Sequence, residues 1–320
     1  MLTWLAIGLF AVSGAPFWAP GRTVAQVHAG AIYLTDPGNG RIVRVTDLSG
    51  TGWTVLSTRD ARSGTRQFAF QSGIFVDPSG RIYFTDVTSS RVVRVNDVTG
   101  AGWTAFGTRG SGPGQFDLPA GIAVDASGRI YVADASNNRI VRVSDMTGAG
   151  WVSLGSRGSG PNQFAFPQGI FVDGAGRIYV SDALNDRIVR INDMSGAGWV
   201  TFGTLGSAAR QLEFPAAVVV DTSGRIYITD SSNDRVVRIN DMTGAGWTAF
   251  GRGGSGVHEF TFPTGIALDA TGRIYVTDEN HRLARFADLT GGGWQTYGGL
   301  GSGMHQFAFP SGVFVWPAGR

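Results

Sequence analysis

The sequence predicts an all-β chain in which one four-stranded unit is repeated six times, and three observations carry that prediction. Helix formers are scarce, while 49 glycines are spread over the 320 residues. Short runs such as RIYVAD and RIVRV, rich in Ile, Val and Tyr, lie between clusters of Gly, Asn, Asp and Ser, the pattern of strands joined by tight turns. The chain also repeats itself: IYxxD recurs at Ile32, Ile82, Ile130, Ile178, Ile226 and Ile274, at spacings of 50 and then 48 four times. A fixed period of that length holding several strands marks a six-bladed β-propeller. Each antiparallel blade is too small to be stable alone and must bury its faces against neighbours around an axis.

One unit, Phe116 to Gly155, reads FDLPAGIAVDASGRIYVADASNNRIVRVSDMTGAGWVSLG, with strand candidates near 120–124, 129–133, 139–143 and 151–154. The first two strands are joined by D-x-x-G, as in Asp125 to Gly128, where aspartate first and glycine fourth suit a type I turn. The last two are joined by D-x-[ST]-G-x-G-W, whose glycines permit positive φ. Between the second and third strands each copy places an aspartate opposite an arginine. Asp36, Asp86, Asp134, Asp182, Asp230 and Asp278 face Arg41, Arg91, Arg139, Arg187, Arg235 and Arg282. In one copy the stretch TDENHRLARF mimics an active site, but its recurrence makes it a hairpin in which the carboxylate accepts turn N–H groups and the guanidinium fork. His281 occurs there in one copy only and is expected in solvent. Six tryptophans, Trp53, Trp103, Trp151, Trp199, Trp247 and Trp294, lead into the outer strands and are expected to wedge between blades.

These units resemble the NHL repeat. The pattern GxFxxPxGIxVDxxGRIYVxDxxNxRIVRxxD is similar throughout, and Asn280-His281-Arg282-Leu283 echoes the tripeptide that names the family. The resemblance covers roughly residues 17–320. It implies a six-bladed propeller without implying one activity, since relatives include RNA-binding domains, bacterial sensor domains and scaffolds distantly related to lyases and lactonases. The propeller is assigned to residues 16–320, and residues 1–15 are read as a signal peptide: the apolar run 2–12 is too short to span a bilayer and small residues follow at 13 and 15. The ring is expected to close with the C-terminal strand 312–316, although FWAPGRTVAQVHAG competes for that place and a chain cut short of a seventh blade is the alternative.

Composition excludes several chemistries. Without cysteine there is no thiolate nucleophile, disulfide or Cys-based metal site. All 26 basic residues are arginine, which removes Schiff-base chemistry and the lysine of a phosphate-binding loop. No catalytic motif, metal site or cofactor site is read from the residues. The pI near 9.2 accompanies a net charge of only +2, and most arginines are spread over repeat positions, so nucleic acid is not an expected partner.

Function is expected where the copies differ: in the connections between blades. There Arg66, Asn162, Arg210, His258 and His305 occupy one repeat position, with Arg109 and Arg157 nearby. The reading is a non-catalytic, exported binding propeller of bacterial type, monomeric, without a transmembrane segment, presenting that face to a protein, glycan or other polar partner. The alternatives are a lactonase-like hydrolase or lyase with a metal at the axial mouth, and an RNA-binding propeller.

Overall fold

The computed structural model describes residues 30–57, 68 and 70–316. The expected signal peptide 1–15, the competing N-terminal segment, and Arg59, Arg62 and Arg66 lie outside the described residues. Six four-stranded antiparallel sheets form a ring, and among the described residues the only helical pieces are single 3₁₀ turns. Blade 3 shows the plan. Pro119–Val124, Ile130–Asp134, Arg139–Val143 and Val152–Leu154 are laid side by side from the axis outward. The inner strands of blades 2, 4, 5 and 6 are Gln71–Val76, Pro167–Val172, Pro215–Val220 and Ile266–Leu268. Blade 1 draws on both ends of the described chain. Val313–Val315 pairs with Ile32–Asp36, Ile32 opposite Val315 and Leu34 opposite Val313.

The apolar cores lie between blades rather than within them. One cluster joins Tyr131 and Ile140 of blade 3 to Ile170, Val180 and Val189 of blade 4, with Trp199 packed against it. Alternation along a strand sends successive side chains to opposite seams, which is why each strand is apolar on both faces. Near the axis the blades touch through backbone. A Cβ on Gly121 would lie 2.6 Å from the carbonyl oxygen of Gln168, and one on Gly312 would lie 2.3 Å from that of Ser72. Glycine at these positions is a condition of close approach.

A hydroxyl stitches most of these inner seams. The residue before each strand-ending aspartate is Thr35, Thr85, Ala133, Ser181, Thr229 or Thr277. Thr85 Oγ1 accepts the Gly73 N–H at 2.9 Å in its own blade and donates to the Ala120 carbonyl of the next blade at 2.6 Å. Thr277 repeats the arrangement with Gly265 N–H and the Ser311 carbonyl, at 2.9 and 2.6 Å. The chain of stitches is interrupted on one side of the ring, where Ala133 has no hydroxyl and Ser181 Oγ is buried without a partner.

The polar hairpins are scaffold. Asp134 is fully buried, and its carboxylate accepts the Asp117 N–H at 2.7 Å, Asn137 Nδ2 at 2.9 Å and Arg139 Nε at 2.7 Å. The same guanidinium donates to the carbonyls of Ser111 and Gln115, at 2.6 and 2.9 Å, and lies 5.4 Å from the centroid of Trp151. One arginine therefore ties its hairpin, the incoming connection and the tryptophan together, as its planar fork allows. Burial pushes the carboxyls of Asp134, Asp182, Asp230 and Asp278 up, against backbone N–H, Asn and Arg donors that pull them down.

The D-x-x-G turns behave oppositely. Gly128 N–H closes onto the Asp125 carbonyl at 2.9 Å, while the Asp125 carboxylate takes Arg129 Nε at 2.6 Å and the Tyr131 hydroxyl at 3.0 Å. Burial raises the Asp125 and Asp269 carboxyls, but these donors outweigh it and the net direction is down.

Two outcomes follow from this scaffold. Thr85→Ala leaves a buried N–H and a buried carbonyl unpaired and is expected to cost about 1–3 kcal/mol, read as a lower urea midpoint at unchanged slope. A carboxyl lowered by folding contributes stability above its unfolded value of about 3.9 that is lost as pH falls through the folded value. The raised, buried carboxyls act in the opposite sense. Acid unfolding is therefore led by the turns, and Asp125→Asn with Asp269→Asn should flatten the fall of the urea midpoint below about pH 5.

Candidate functional site

The residues in which the blades differ sit around the perimeter, one per seam. Asn162, Arg210, His258 and His305 have left-handed backbone, with φ of 58, 67, 62 and 61°. Each side chain lies against the three-to-four turn of the next blade. Arg210 donates to the Thr243 carbonyl, and His258 Nε2 is 3.2 Å from the Gly291 carbonyl oxygen. A Cβ on Gly196 or Gly50 would meet Asn162 Oδ1 or His305 Nδ1 at 2.0 and 2.1 Å. From the sequence these connections and turns belong on opposite faces. The outer strands, however, are only three or four residues long and the blades twist, so the two meet at the perimeter.

The histidines are packed as well as bonded. His258 lies 5.3 Å from the ring of Phe250 and 5.5 Å from that of Trp294, and His305 lies 5.5 Å from Trp53. Burial, with Asp47 adding to it against Arg41, pushes the Tyr297 hydroxyl up to about 12. That hydroxyl stays protonated and sits 2.9 Å from His305 Nδ1. Arg109 and Arg157 are exposed, Arg109 reaching Asp117 at 3.5 Å with 81% of its side chain open to solvent. A perimeter groove of about 600 Å³ opens between blades 4 and 5, lined by Phe202, Thr204, Ala208, Arg210, Met242 and Thr243. The sequence-derived residues are thus dispersed over several seams. Among the described residues no three His, Asp or Glu side chains gather closely enough to hold a metal ion.

A second arrangement recurs from blade to blade. The residue leading into each inner strand is Phe70, Leu118, Phe166, Phe214, Phe262 or Phe309. The last five precede proline, which closes the right-handed helical region to them, and all five adopt positive φ between 45 and 56°. For a bulky L residue that conformation costs about 1–2 kcal/mol. A side chain from the preceding blade takes up the N–H in most copies. Asn138 Oδ1 accepts from Phe166 at 3.0 Å, Asp186 Oδ1 from Phe214 at 2.9 Å, Asp234 Oδ1 from Phe262 at 2.7 Å and His281 Nδ1 from Phe309 at 3.1 Å. His281, expected in solvent, is half-buried and 4.6 Å from the Phe309 ring.

The left-handed turn keeps these side chains out of the cores. Phe309 is 53% exposed whereas Phe307, two residues earlier, is fully buried. The rings of Phe214 and Phe262, on neighbouring blades, are 5.7 Å apart. Set beside the two-to-three turns, the lead-in residues form a collar of large apolar side chains on that side of the ring. The sequence shows Phe-Pro in four copies, but a phenylalanine before a strand reads as core, and nothing in the pattern announces positive φ.

The other exposed large hydrophobics fall in two classes of loop. They are Leu184 in a two-to-three turn and Leu205, Val257, Leu300 and Met304 in the connections; no one-to-two or three-to-four turn carries one among the described residues.

Residues 116–142 match the NHL repeat, and residues 216–296 match a family described as a 6-bladed beta-propeller. No curated protein matches the sequence. Among solved structures the fold is similar to a chain of a nidogen/laminin complex, at 18% identity over 89% of this chain and 97% of that one, with a TM-score of 0.66. It is also similar to a streptogramin B lyase, at 17% identity over 90% and 84% with a TM-score of 0.60. A Bacteroides caccae protein of unknown function shares it at 14% identity over 88% and 97%, again with a TM-score of 0.60. At such identities the likeness is one of fold. The chain is an NHL-repeat β-propeller of six blades.

Proposed function

We propose that this propeller is an exported binding module whose partner docks on the side carrying the two-to-three turns and the connections. The carrying observation is the confinement of exposed large hydrophobics to the lead-in residues, the two-to-three turns and the connections, where monomers ordinarily keep such residues scattered. The collar and the connection residues Leu205, Val257, Leu300 and Met304 supply apolar contact. Arg109, Arg157, Arg210, Asn162, His258 and His305 form a polar rim that orients the partner, as rims do at protein interfaces. Within the reading the protein is a monomer, and export rests on the apolar run 2–12. The chain of a nidogen/laminin complex gives a precedent for this fold in a protein complex.

A lyase is the second reading, favoured by the lyase of the same fold. Titratable groups beside the collar include Asp186, Asp234 and His281, and each of these already accepts a backbone N–H. A divalent ion retained stoichiometrically through gentle purification would favour that reading over simple binding.

The binding reading is tested on peptide and glycan arrays with two surface variants. The first carries Leu205→Ser, Val257→Ser, Leu300→Ser and Met304→Ser; the second carries Ala126→Arg, Ala175→Arg and Ala270→Arg in the one-to-two turns. The first is expected to weaken capture at least tenfold, roughly 1.4 kcal/mol, and the second to leave it unchanged. The reverse pattern would place the partner on the other side.

A further inference from the structure

The seam between blades 4 and 5 departs from the other five, and a groove opens at it. In the connections entering blades 1, 2, 3, 4 and 6 a phenylalanine packs against the tryptophan of the blade it enters. Phe307, Phe68, Phe116, Phe164 and Phe260 lie 5.2 to 6.0 Å from Trp53, Trp103, Trp151, Trp199 and Trp294. In the connection entering blade 5 that residue is Leu212, in the apolar cluster against which Trp247 packs. A leucine leaves unfilled part of the volume that a ring takes at the other seams. The same connection carries Ala208, Ala209 and Arg210 where the one before it has Gly160, Pro161 and Asn162. The groove of about 600 Å³ lies here, with Phe202 and Met242 as its buried, apolar lining.

Two further features border that lining. The first is the outer edge of blade 4. Val200–Phe202 is the last strand of its sheet, with no strand beyond it among the described residues, and Thr201, Phe202 and Thr204 face the groove. An open edge of this kind offers N–H and C=O groups to an extended chain. The second is Arg210. It donates to the Thr243 carbonyl, and no carboxylate pairs with it among the described residues. Arg109 and Arg252, by contrast, pair with Asp117 and Glu259 in their own connections. A guanidinium has five donors in a planar fork, so Arg210 retains the capacity to hold a carboxylate. One cation beside an apolar lining suits a single acidic group better than a phosphate backbone, which is met by several.

We propose that the groove between blades 4 and 5 binds an extended acidic peptide, added as a fifth strand beside Val200–Phe202, with an aspartate or glutamate on Arg210 and an apolar side chain over Phe202 and Met242. This deepens the binding-module reading and rests on it. Alternation along a strand sets the recognised pattern: an acidic and a bulky apolar residue two places apart point to the same face and reach the groove together. Three residues of strand span about 10 Å, and the volume falls in the range of about 300–1,000 Å³ common for ligand clefts. Leu205, 65% exposed in the same connection, extends the apolar contact. The edge is short and supports few backbone bonds, so selectivity comes from Arg210 and the apolar lining.

The test uses the fluorescently labelled peptide TVDVFT, titrated with the whole chain and followed by anisotropy. It is compared with TVNVFT and with two analogues of TVDVFT, N-methylated at the aspartate or at the valine after it. Two variants have internal precedents for folding: Arg210→Asn copies Asn162, and Leu212→Phe copies Phe164. Saturable binding of TVDVFT is expected, about three- to tenfold weaker for TVNVFT and for each variant. TVNVFT should bind Arg210→Asn and the parent chain alike. Strand pairing uses alternate N–H groups, so one N-methylated analogue should lose binding and the other keep it. Absence of saturable TVDVFT binding, equal binding of TVNVFT, binding unchanged in both variants, or two N-methylated analogues that behave alike would overturn the proposal. Capture of glycans alone on the arrays would overturn it too. If array capture still depends on Leu205, Val257, Leu300 and Met304 while TVDVFT fails to bind, the binding side stands and the groove assignment falls. Loss of both would remove the reading of the side itself.

Discussion

A four-stranded antiparallel sheet this small cannot bury both of its faces, and the architecture follows from that constraint. Ile, Val and Tyr alternate to opposite seams, so each blade is completed only by two neighbours, and the ring must close for the first and last blades to be covered. Closure comes from Val313–Val315 lying against Ile32–Asp36. In the inner strands Gly121, Gly312 and the matching glycines let backbone meet backbone, with Ala217 taking that place in blade 5. Threonine hydroxyls then bridge blades that share no sheet. The seams where Ala133 and Ser181 break the series lack that bridge and rely on apolar contact, as between Tyr131, Ile170 and Val180.

Repetition of the blade also settles what its polar residues are for. Asp278, Asn280 and Arg282 look catalytic in isolation. In five of the six copies the aspartate accepts from an arginine, an asparagine and a backbone N–H, Asp86 having Ser89 in place of the asparagine, and in those five the arginine is committed to a carboxylate, to loop carbonyls and to a tryptophan ring. Side chains so engaged have little hydrogen-bonding capacity left for a substrate. Breaking one of these buried pairs would leave its partner charged and uncompensated, at a cost of about 3–5 kcal/mol, which identifies the pairs as anchors of the connections.

Much of this was legible in the sequence because it is local. A period of 48, a turn with Asp first and Gly fourth, and an Asp–Arg pair five residues apart all encode contacts within one hairpin. Two things were hidden. The twist that carries an outer turn up to meet Arg210 or His258 is a property of the assembled sheet, so residues assigned to opposite faces became neighbours. The collar was hidden for a different reason. Phe307 and Phe309 are the same residue two positions apart, one in the core and one in the collar, and hydrophobicity cannot separate them. The separation is made by φ, and φ there is set by the proline that follows together with an acceptor on the preceding blade.

That acceptor is where the symmetry of the ring is broken. The residue closing the two-to-three turn is Gly40, Ser90, Asn138, Asp186, Asp234 or His281, five residue types facing the same neighbouring backbone. Where it is Asn, Asp or His, the next phenylalanine N–H is held; where it is glycine or serine, no such bond forms among the described residues. The collar backbone is consequently held from blade 4 round to blade 1, and it is most negative where the acceptor is Asp186 or Asp234. A near-symmetric scaffold becomes uneven in this way: the repeated residues place a large apolar side chain at the head of every inner strand, and the one variable residue behind it decides how firmly its backbone is held.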